Sequence, residues 1–456
     1  MKNGGKIMNR FILKLDDYKK AGDIFDIFYK ENNAVFLDSS LENNMGNYSI
    51  IALNSYLNLT VIENDLYVNG KHSKLSFEEY LKKYIDENKD YNDTDLPIVS
   101  GAIGYLSYDY GRKNENISTR HKDDTNVPQC IFNFYDNFII EDIKNKETYI
   151  IGNGVVEDSI KSVREIENKI KSYKDKFQIN NSDYEIEVSA NFEKDEYKNV
   201  VDKMIQYIIE GDVYIGNMTQ QLKVHSRKPP YSVFKTLRSN NPSPFGGYMN
   251  YGDFKIVSAS PERFLKMKDS IISTRPIKGT RPRGKNLKED NEFRNELKNS
   301  EKDRSELLMI VDLERNDLNR VCEKGSVIVD ELFTVEEYAT VFHLVSEIRG
   351  KLKEELNVVD LIEAAFPGGS ITGAPKIRAM EIIDELENGR RGIYTGSFGY
   401  ITLDGNCDLN IIIRTALYKD DHYYLGVGGG ITCESDLEFE YEETLQKAKA
   451  LLEAMK

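Results

Sequence analysis

Four positive side chains fall within nine residues in the segment STRPIKGTRPRG, positions 273–284. They are Arg275, Lys278, Arg281 and Arg283, in a 456-residue chain whose formal net charge is -15. Prolines and glycines around Lys278 indicate that the backbone turns or leaves a strand there. Neighbouring positive charges and burial both favour the neutral amine of a lysine, which can act as a nucleophile or a base. The arginines could hold a carboxylate-bearing substrate, although a solvated basic loop would also explain these residues.

Two pairs of carboxylates have the same spacing in two expected helices. Asp303 and Glu306 lie three residues apart in EKDRSELLMIVDLERND, and Glu440 and Glu443 do so in LEFEYEETLQKAKALLEAMK. This spacing places each pair on one helix face. Four carboxylates brought together would repel one another unless a cation lay among them, and oxygen donors of this kind suit Mg²⁺. With 76 acidic residues in the chain, such pairs also arise by chance on solvated helix faces.

Two glycine-rich segments and one histidine complete the candidate residues. FPGGSITGAPK lacks the Lys–Ser/Thr ending of a P-loop, and we expect a loop that leads into a helix at Pro375. Such a helix start offers backbone N–H groups to an anion. GVGGGITC, which contains Gly428, would let the backbone approach a ligand closely. Both segments also fit tight turns or packing, and His343, among apolar residues in TVFHLVSEIRG, also fits a core histidine.

Composition and charge exclude several classes of protein. The acidic balance argues against nucleic acid as a main partner. No apolar run approaches the roughly 20 residues of a membrane-spanning helix, and the N-terminal apolar run is too short for a signal peptide. The four cysteines are far apart, which indicates reduced thiols rather than a zinc site or disulfides, and we expect a cytoplasmic protein. No GxSxG segment or nucleophilic cysteine setting indicates a hydrolase or glutaminase triad.

Helices and hairpins alternate along the chain without regular β–α–β units, which favours an α+β fold. We predict β-hairpins at 48–71 and 137–154 and a polar helix near 157–176. In the second half we predict helices at 301–319, 336–349, 357–366, 375–387 and 439–455. A polar segment without clear periodicity suggests a boundary near residue 185. This divides the chain into an N-terminal domain, 1–185, and a second domain, 186–456.

Taken in order, the segments resemble the chorismate-utilising enzymes, which include the anthranilate, aminodeoxychorismate, isochorismate and salicylate synthases. The resemblance covers about 190 residues through SASPERF, RPIKGTRPRG, MIVDLERNDL, FHLVSEIRG, FPGGSITGAPK, RGIYTGSFGY, IIIRTAL, GVGGGI and EYEETLQKA. A weaker match includes LDSS and NPSPF in the first 245 residues. The resemblance implies an anthranilate-synthase-like fold of two β-rich lobes, with orthogonal antiparallel sheets surrounded by helices. It also implies a regulatory-like N-terminal domain and a chorismate-binding catalytic domain at 186–456.

The resemblance assigns the carboxylates to a magnesium site. Glu306 and Glu443 match the direct Mg²⁺ ligands of the family, and Asp303 and Glu440 match the outer carboxylates that hold metal-bound water. In the family, Mg²⁺ holds the ring carboxylate of chorismate.

The resemblance also implies how the rest of the substrate is held. Tyr394, Arg414 and the backbone around Gly428 would hold the enolpyruvyl carboxylate, and His343 matches a histidine near the ring. Lys376, in the matching GAPK segment, is expected in the wall of the site.

Lys278 distinguishes two branches of the family. Anthranilate synthases usually read PIAGT at this position, whereas aminodeoxychorismate synthases read PIKGT, as this chain does. The implied mechanism is a covalent adduct between Lys278 and the ring, followed by attack of ammonia, with Glu262 as general acid and base for the departing hydroxyl. The ammonia would come from a separate glutamine amidotransferase subunit, in the folate branch of metabolism.

Two other interpretations remain open from the sequence. The chain would form anthranilate if Lys278 had no covalent role, or it would be a non-catalytic regulator that binds chorismate or an amino acid. One departure from the family pattern is Ile215, which stands where the family has glutamine in GDVYIGNMTQQ.

Overall fold

The computed structural model describes residues 9–41, 45–115, 117–174, 177–178, 184–338 and 341–456. The first part of the chain forms mainly strands, because β-branched and aromatic residues alternate there between short turns. Its elements are β1 (Phe11–Lys14), α1 (Ala21–Phe28), β2 (Val35–Asp38), β3 (Tyr48–Ile62), β4 (Asp65–Val68), β5 (Lys71–His72), α2 (Phe77–Glu87), β6 (Gly101–Leu106), β7 (Cys130–Asp142), β8 (Glu147–Gly152) and α3 (Ser159–Ser172).

The second part adds longer helices between strands. Its elements are β9 (Glu187–Ala190), α4 (Lys194–Glu210), β10 (Ile215–His225), α5 (Pro230–Asn240), β11 (Phe245–Asn250), β12 (Phe254–Ser260), β13 (Arg263–Lys268), β14 (Ile271–Thr274), β15 (Ile277–Pro282), α6 (Leu287–Asn299), α7 (Glu301–Val321), β16 (Ile328–Glu337), β17 (Val341–Lys351), α8 (Val358–Ala365), β18 (Gly373–Ala374), α9 (Lys376–Leu386), β19 (Ser397–Thr402), β20 (Cys407–Asn410), β21 (Thr415–Lys419), β22 (His422–Ile431) and α10 (Leu437–Met455).

Two antiparallel sheets share the long strands β3 and β7. The first half of β3 pairs with β2, and its second half pairs with β4, with a register shift against β7 between Ser55 and Leu57. From this shared pair, one sheet runs β2–β11–β12–β21–β22–β10–β9 on one side and β8–β1 on the other. The other sheet runs β7–β6–β19–β20–β13–β14–β17–β16, with β15 also paired to β17. The predicted α+β class is therefore confirmed.

Strands from both predicted domains contribute to these sheets. β2 pairs with β11, and β6 pairs with β19, so residues on either side of position 185 are joined by backbone hydrogen bonds. The predicted boundary lies between α3 and β9, next to residues 179–183, which are outside the described part of the chain. The division at 185 stays a prediction.

The helix predicted at 336–349 is wrong, because this segment contributes to strands β16 and β17. β17 pairs with β14, β15 and β16, and it buries Phe342, Leu344 and Ile348. Valine and isoleucine suit such a strand, and the surrounding strands supply the backbone partners that a local pattern cannot reveal. His343 therefore lies on a strand paired with other strands, and not on a helix.

Two helices carry the carboxylate pairs, and both have side-chain caps at their first turn. Ser300 Oγ accepts a hydrogen bond from the Asp303 N–H (3.3 Å) before α7, and Asp436 Oδ1 accepts one from the Phe439 N–H (2.8 Å) before α10. Apolar side chains of α7 pack against β17, and those of α10 pack beneath the other sheet. The two helix starts are thereby fixed, and their first turns, where negative side chains are favourable, reach the same cavity.

All four cysteines are free thiols, and three of them are buried. Within the described ranges, no helix combines the length and the apolar character needed to span a bilayer.

Candidate active site

A cavity of about 640 Å³ lies where β15, β22, α7 and α10 meet. The ten residues that the family resemblance assigned to catalysis, substrate or metal line this cavity. They are Lys278, Glu262, His343, Tyr394, Arg414, Gly428, Glu306, Glu443, Asp303 and Glu440. Residues from 262 to 443 along the chain are thus brought together, while their individual roles stay predictions.

Lys278 enters the cavity because the backbone turns at the next residue. Gly279 has a φ of 73°, and the register against β17 shifts between Lys278 and Thr280. A side chain at Gly279 would also place its Cβ 2.8 Å from Asp303 Cγ, so glycine is required there. The Lys278 amino group donates a hydrogen bond to the Ser370 carbonyl oxygen at 3.0 Å.

The neighbouring arginines do not surround Lys278 as the sequence suggested. Arg275 is paired with Glu331, Glu336 and Glu347. The other two form ion pairs with carboxylates of α6 and α7: Arg281 with Glu296 and Asp303, and Arg283 with Asp290. Arg275 and Arg283 are outside the cavity, and the charge of Arg281, which lines it, is opposed by Glu296 and Asp303.

Glu262 is a buried carboxylic acid beside Lys278. Its side chain is 6% exposed, and burial raises the pKa of Glu262, although the Ser370 hydroxyl and the Lys278 charge oppose that rise. Ser370 therefore contacts both groups, the acid through its hydroxyl and the amine through its carbonyl oxygen. A carboxyl group whose pKa is raised by burial and a nearby amine are a suitable pair for removing a poor leaving group.

The carboxylates meet the glycine-rich end of β22. A Cβ on Gly429 would lie 2.7 Å from Glu443 Oε2 and 3.1 Å from Glu440 Oε2. A Cβ on Gly430 would lie 3.4 Å from Lys278 Nζ and 3.9 Å from Glu306 Oε2. A side chain at Gly429 would therefore displace the Glu443 carboxylate, whereas a Cβ at Gly430 would make ordinary van der Waals contacts.

Three of the four carboxylates have partners within the chain. Asp303 accepts a hydrogen bond from Arg281 (3.1 Å), Glu440 from Ser435 (2.7 Å), and Glu443 from Lys447 (3.0 Å). Burial raises the pKa of Glu306, and burial with the nearby Glu443 charge raises the pKa of Glu440 to about 7.

The donor chemistry of this cluster fits a hard divalent cation. Among the residues that the structure describes, no three His, Cys, Asp or Glu side chains are grouped closely enough to form a metal cage. Mg²⁺ does not require such a cage, because it usually takes one or two carboxylates and keeps waters or substrate oxygens as its other ligands. The carboxylates therefore fit magnesium in type and location.

A second group of residues is suited to a carboxylate of the substrate. Tyr394 packs so closely on Gly426 that a Cβ there would lie 2.1 Å from the ring. Arg414 adopts a φ of 51°, lines the cavity, and donates from one guanidinium nitrogen to the Lys447 carbonyl oxygen at 2.8 Å. Burial raises the pKa of Tyr394 and lowers that of Arg414. A phenol and a guanidinium on one wall can both donate to an anion.

His343 faces the cavity from β17. Its Nδ1 lies 2.9 Å from Thr280 Oγ1, and burial lowers its pKa to about 4. The imidazole is consequently neutral near pH 7 and can exchange hydrogen bonds without carrying charge.

Sequence reasoning missed two residues of the cavity. Ser370 lies in the FPGGSITG segment, where the glycines were a signal for a ligand loop but the serine was not. Lys447 donates to Glu443 and to the Gly428 carbonyl oxygen (2.8 Å), and its position four residues after Glu443 was the available signal.

Lys376 and Ile215 are two further residues that the sequence singled out near the cavity. Lys376 does not line the cavity, because its amino group is buried against Asp317 (2.6 Å) and the Ala365 carbonyl oxygen (2.8 Å). Ile215 is buried beneath Gly430, with Cδ1 3.4 Å from the position of a Cβ there.

A second cavity, of about 360 Å³, lies between the N-terminal strands and β11, β13, β19 and β20. It shares no lining residue with the first cavity. Asp38, which matches the family's LLES segment through LDSS, lies in its wall and is paired with Arg238.

Comparisons with known proteins agree with this arrangement. A sequence profile described as chorismate binding enzyme matches residues 39–453. Anthranilate synthase component 1 of Acetivibrio thermocellus is 36% identical over 458 residues, covering 94% of this chain and 91% of that protein. Aminodeoxychorismate synthase component 1 of Bacillus subtilis is 40% identical over 369 residues, covering 78% and 77%. The crystal structure of anthranilate synthase component I from Streptococcus pneumoniae has a TM-score of 0.82 at 30% identity, covering 90% and 93%.

These similarities extend beyond the cavity to the whole fold. The predicted anthranilate-synthase-like fold is confirmed by the third comparison. The two sequence relatives have different activities in their names, at similar identity. The choice between those activities therefore has to come from the residues in the cavity.

Proposed function

The chain belongs to the chorismate-binding enzyme family, and on this premise we propose that it forms 4-amino-4-deoxychorismate from chorismate and ammonia. The observation that carries the proposal is Lys278, whose amino group lies in the cavity 3.0 Å from the Ser370 carbonyl oxygen, beside Glu262. Lysine is usual here in the aminodeoxychorismate synthases and alanine in the anthranilate synthases. A primary amine beside a buried carboxyl group of raised pKa supports a covalent route.

In the first half of the proposed reaction, the Lys278 amino group gives a proton to solvent and attacks ring C2 of chorismate. The ring double bond shifts and the C4–O bond breaks, while Glu262 gives its proton to the departing hydroxyl, which leaves as water. In the second half, ammonia attacks C4, the double bond shifts back, and the bond between C2 and the lysine nitrogen breaks. The new ammonium group returns a proton to Glu262, so one hydroxyl is exchanged for one amino group and one water is released.

We assign the carboxylates to a magnesium ion, with Glu306 and Glu443 as direct ligands and Asp303 and Glu440 as outer carboxylates. When bound, Mg²⁺ would neutralise and orient the ring carboxylate of the substrate. The support for this assignment is that Glu306 and Glu440 line the same cavity, where burial and the nearby Glu443 charge raise the pKa of both carboxyl groups.

Tyr394, Arg414 and the backbone at Gly428 are assigned to the enolpyruvyl carboxylate, and His343 to a neutral contact near the ring. Their common wall supports this assignment. The tight packing of Tyr394 on Gly426 would keep the phenol in place, so that Tyr394 and Arg414 could donate to the same carboxylate.

We further propose that a separate glutamine amidotransferase subunit supplies the ammonia, and that the product enters the folate branch. The name of the Bacillus subtilis relative, component 1 of aminodeoxychorismate synthase, supports a multi-component enzyme. Purification of the chain with a tagged amidotransferase subunit, followed by glutamine-dependent turnover, tests this partner.

Anthranilate formation is the second candidate function, favoured by the greater coverage of the Acetivibrio thermocellus relative. The deciding experiment incubates the protein with chorismate, ammonium and Mg²⁺ and identifies the products by mass, with and without an added aminodeoxychorismate lyase. We expect aminodeoxychorismate, which the lyase converts to 4-aminobenzoate. Anthranilate and pyruvate as products would establish the second function, and no consumption of chorismate would favour a non-catalytic regulator.

Replacing Glu262 by glutamine is expected to lower kcat by about 10²–10⁴-fold, because the amide cannot protonate the departing hydroxyl. Burial raises the pKa of Glu262, so the wild-type rate should fall as rising pH removes the proton that the acid must give. Initial rates at saturating ammonium across the pH range measure both effects. Glu331→Gln, which lies outside the cavity beside Arg275, is the matched control, and wild-type turnover by Glu262→Gln would exclude its acid role.

A further inference from the structure

A second buried carboxylic acid, Glu314 on α7, lies behind the cavity and has no part in the proposed reaction. It is 8% exposed. Its Cγ lies 3.4 Å from the position of a Cβ on Gly369, so it packs beneath the turn that carries Ser370. Glu314 is thus next to the segment that holds Lys278 and Glu262, without lining the cavity itself.

The hydrogen bonds of Thr274 indicate the protonation state of Glu314. Thr274 Oγ1 lies 2.7 Å from the Phe264 carbonyl oxygen and 2.9 Å from Glu314 Oε2. A hydroxyl has one proton, and a carbonyl oxygen can only accept. If Thr274 donates to Phe264, the proton between Thr274 and Glu314 must come from the carboxyl group.

Phe264 needs this donor because it falls at an irregularity of its strand. The register of β13 against β20 shifts between Arg263 and Leu265, and the pairing of β13 with β14 begins at Lys266. A residue at such a shift has no ladder partner of its own. The Thr274 hydroxyl therefore satisfies a buried carbonyl group two residues after Glu262, and leaving that group without a donor would be costly.

We propose that Glu314 is a positioning residue that works in its protonated form: it donates to Thr274, Thr274 donates to Phe264, and this chain fixes the backbone that carries Glu262. If Glu314 lost its proton, Thr274 would turn its hydroxyl toward the carboxylate, and the Phe264 carbonyl would lose its partner. The position of the acid in the cavity would then be less well defined.

The charges around Glu314 are consistent with a retained proton. Burial, together with the nearby carboxylates Glu262 and Asp317, raises the pKa of Glu314 to about 8, even though the hydrogen bond with Thr274 acts to lower it. Lys376 on α9 lowers it, but the amino group of Lys376 donates to Asp317 and Ala365.

The protonation state can be tested without reference to any reaction. Glu314→Gln keeps the shape and can still donate to Thr274, but it carries no proton to lose. The folded pKa of Glu314 lies above its ordinary value of 4.5, so the folded protein holds a proton that the unfolded chain releases. Wild-type stability should therefore fall relative to Glu314→Gln as pH rises from about 4.5 to about 8, and the difference should be constant above that.

Thermal unfolding of both proteins from pH 5 to pH 9.5 measures this difference. We expect the midpoint of Glu314→Gln to exceed that of the wild type by an amount that grows to several degrees across this window. A difference that does not change with pH would overturn the inference. The infrared absorption of a protonated carboxyl group at pH 7, lost in Glu314→Gln, is a second and direct measurement.

The catalytic part of the inference rests on the proposed function. Glu314→Ala and Thr274→Val should lower kcat for aminodeoxychorismate at least about tenfold with little change in KM, and Glu314→Gln should restore it. The decline of the wild-type rate above pH 8 should also be weaker in Glu314→Gln. Unchanged kcat in both disruptive variants would exclude positioning, whereas absence of aminodeoxychorismate in the wild type would exclude the proposed function and leave the stability result intact.

Discussion

Replacing Lys278 by alanine is expected to remove nearly all formation of 4-amino-4-deoxychorismate, with kcat lowered by about a hundredfold or more. The variant keeps the cavity but lacks the amine that lies beside Ser370. Direct displacement of the C4 hydroxyl by ammonia would then have to proceed in one step, without the covalent intermediate that divides the barrier. Product formation at saturating ammonium, quantified by mass, measures the loss.

Lys285→Ala is the matched control, because Lys285 directly follows the basic segment and is exposed. A second measurement is the intact mass of the protein after incubation with chorismate and Mg²⁺ in the absence of ammonia. The wild type should carry an adduct equal to chorismate minus water, and Lys278→Ala should not. Undiminished turnover by Lys278→Ala, or the same adduct on that variant, would contradict the covalent role.

The helices that carry the carboxylates could be predicted from the sequence because their signals are local. Ser300 and Asp436 cap the helices that begin at Glu301 and Leu437, and apolar residues recur at helical spacing after them. The i, i+3 spacing then predicts that the two carboxylates of each pair lie on one face of their own helix. That the two helix starts meet in one cavity is a property of the tertiary fold, and only the family resemblance anticipated it.

β17 shows where local signals fail. The segment 336–349 contains both helix-favouring glutamates and β-branched residues, and its apolar spacing fits either structure over so short a stretch. Its conformation is decided by three neighbouring strands, β14, β15 and β16, that supply hydrogen bonds to its backbone.

The basic segment shows that proximity along the chain does not give proximity of charge. Arg275 and Arg283 pair with carboxylates outside the cavity, and Arg281, which lines the cavity with Lys278, pairs with Asp303 there. The carboxylate partners of Arg275 are distant in sequence, on β16 and β17, and those of Arg281 and Arg283 include residues of helix α6. The sequence showed the concentration of positive charge but not the residues that oppose it.

Replacing Glu443 by glutamine is the other change for which we expect a severe effect. The amide keeps the shape of the side chain but loses the negative charge that a magnesium ligand supplies. We expect the Mg²⁺ concentration for half-maximal activity to rise at least about a hundredfold, because loss of groups that only support metal ligands already costs 10–100-fold. Rates measured over a Mg²⁺ series show the shift, and titration with Mn²⁺ monitored by electron paramagnetic resonance reports metal binding without turnover.

Glu442→Gln is the control for this experiment, since Glu442 lies on the same helix turn but faces Lys194 at the surface. Glu443 also accepts a hydrogen bond from Lys447, so part of any loss in activity could come from a displaced lysine rather than from the metal. Lys447→Met separates these causes: it should retain Mn²⁺ binding, whereas Glu443→Gln should not. A normal response of Glu443→Gln to both metals would remove Glu443 from the ligand set and leave Glu306 as the carboxylate to test next.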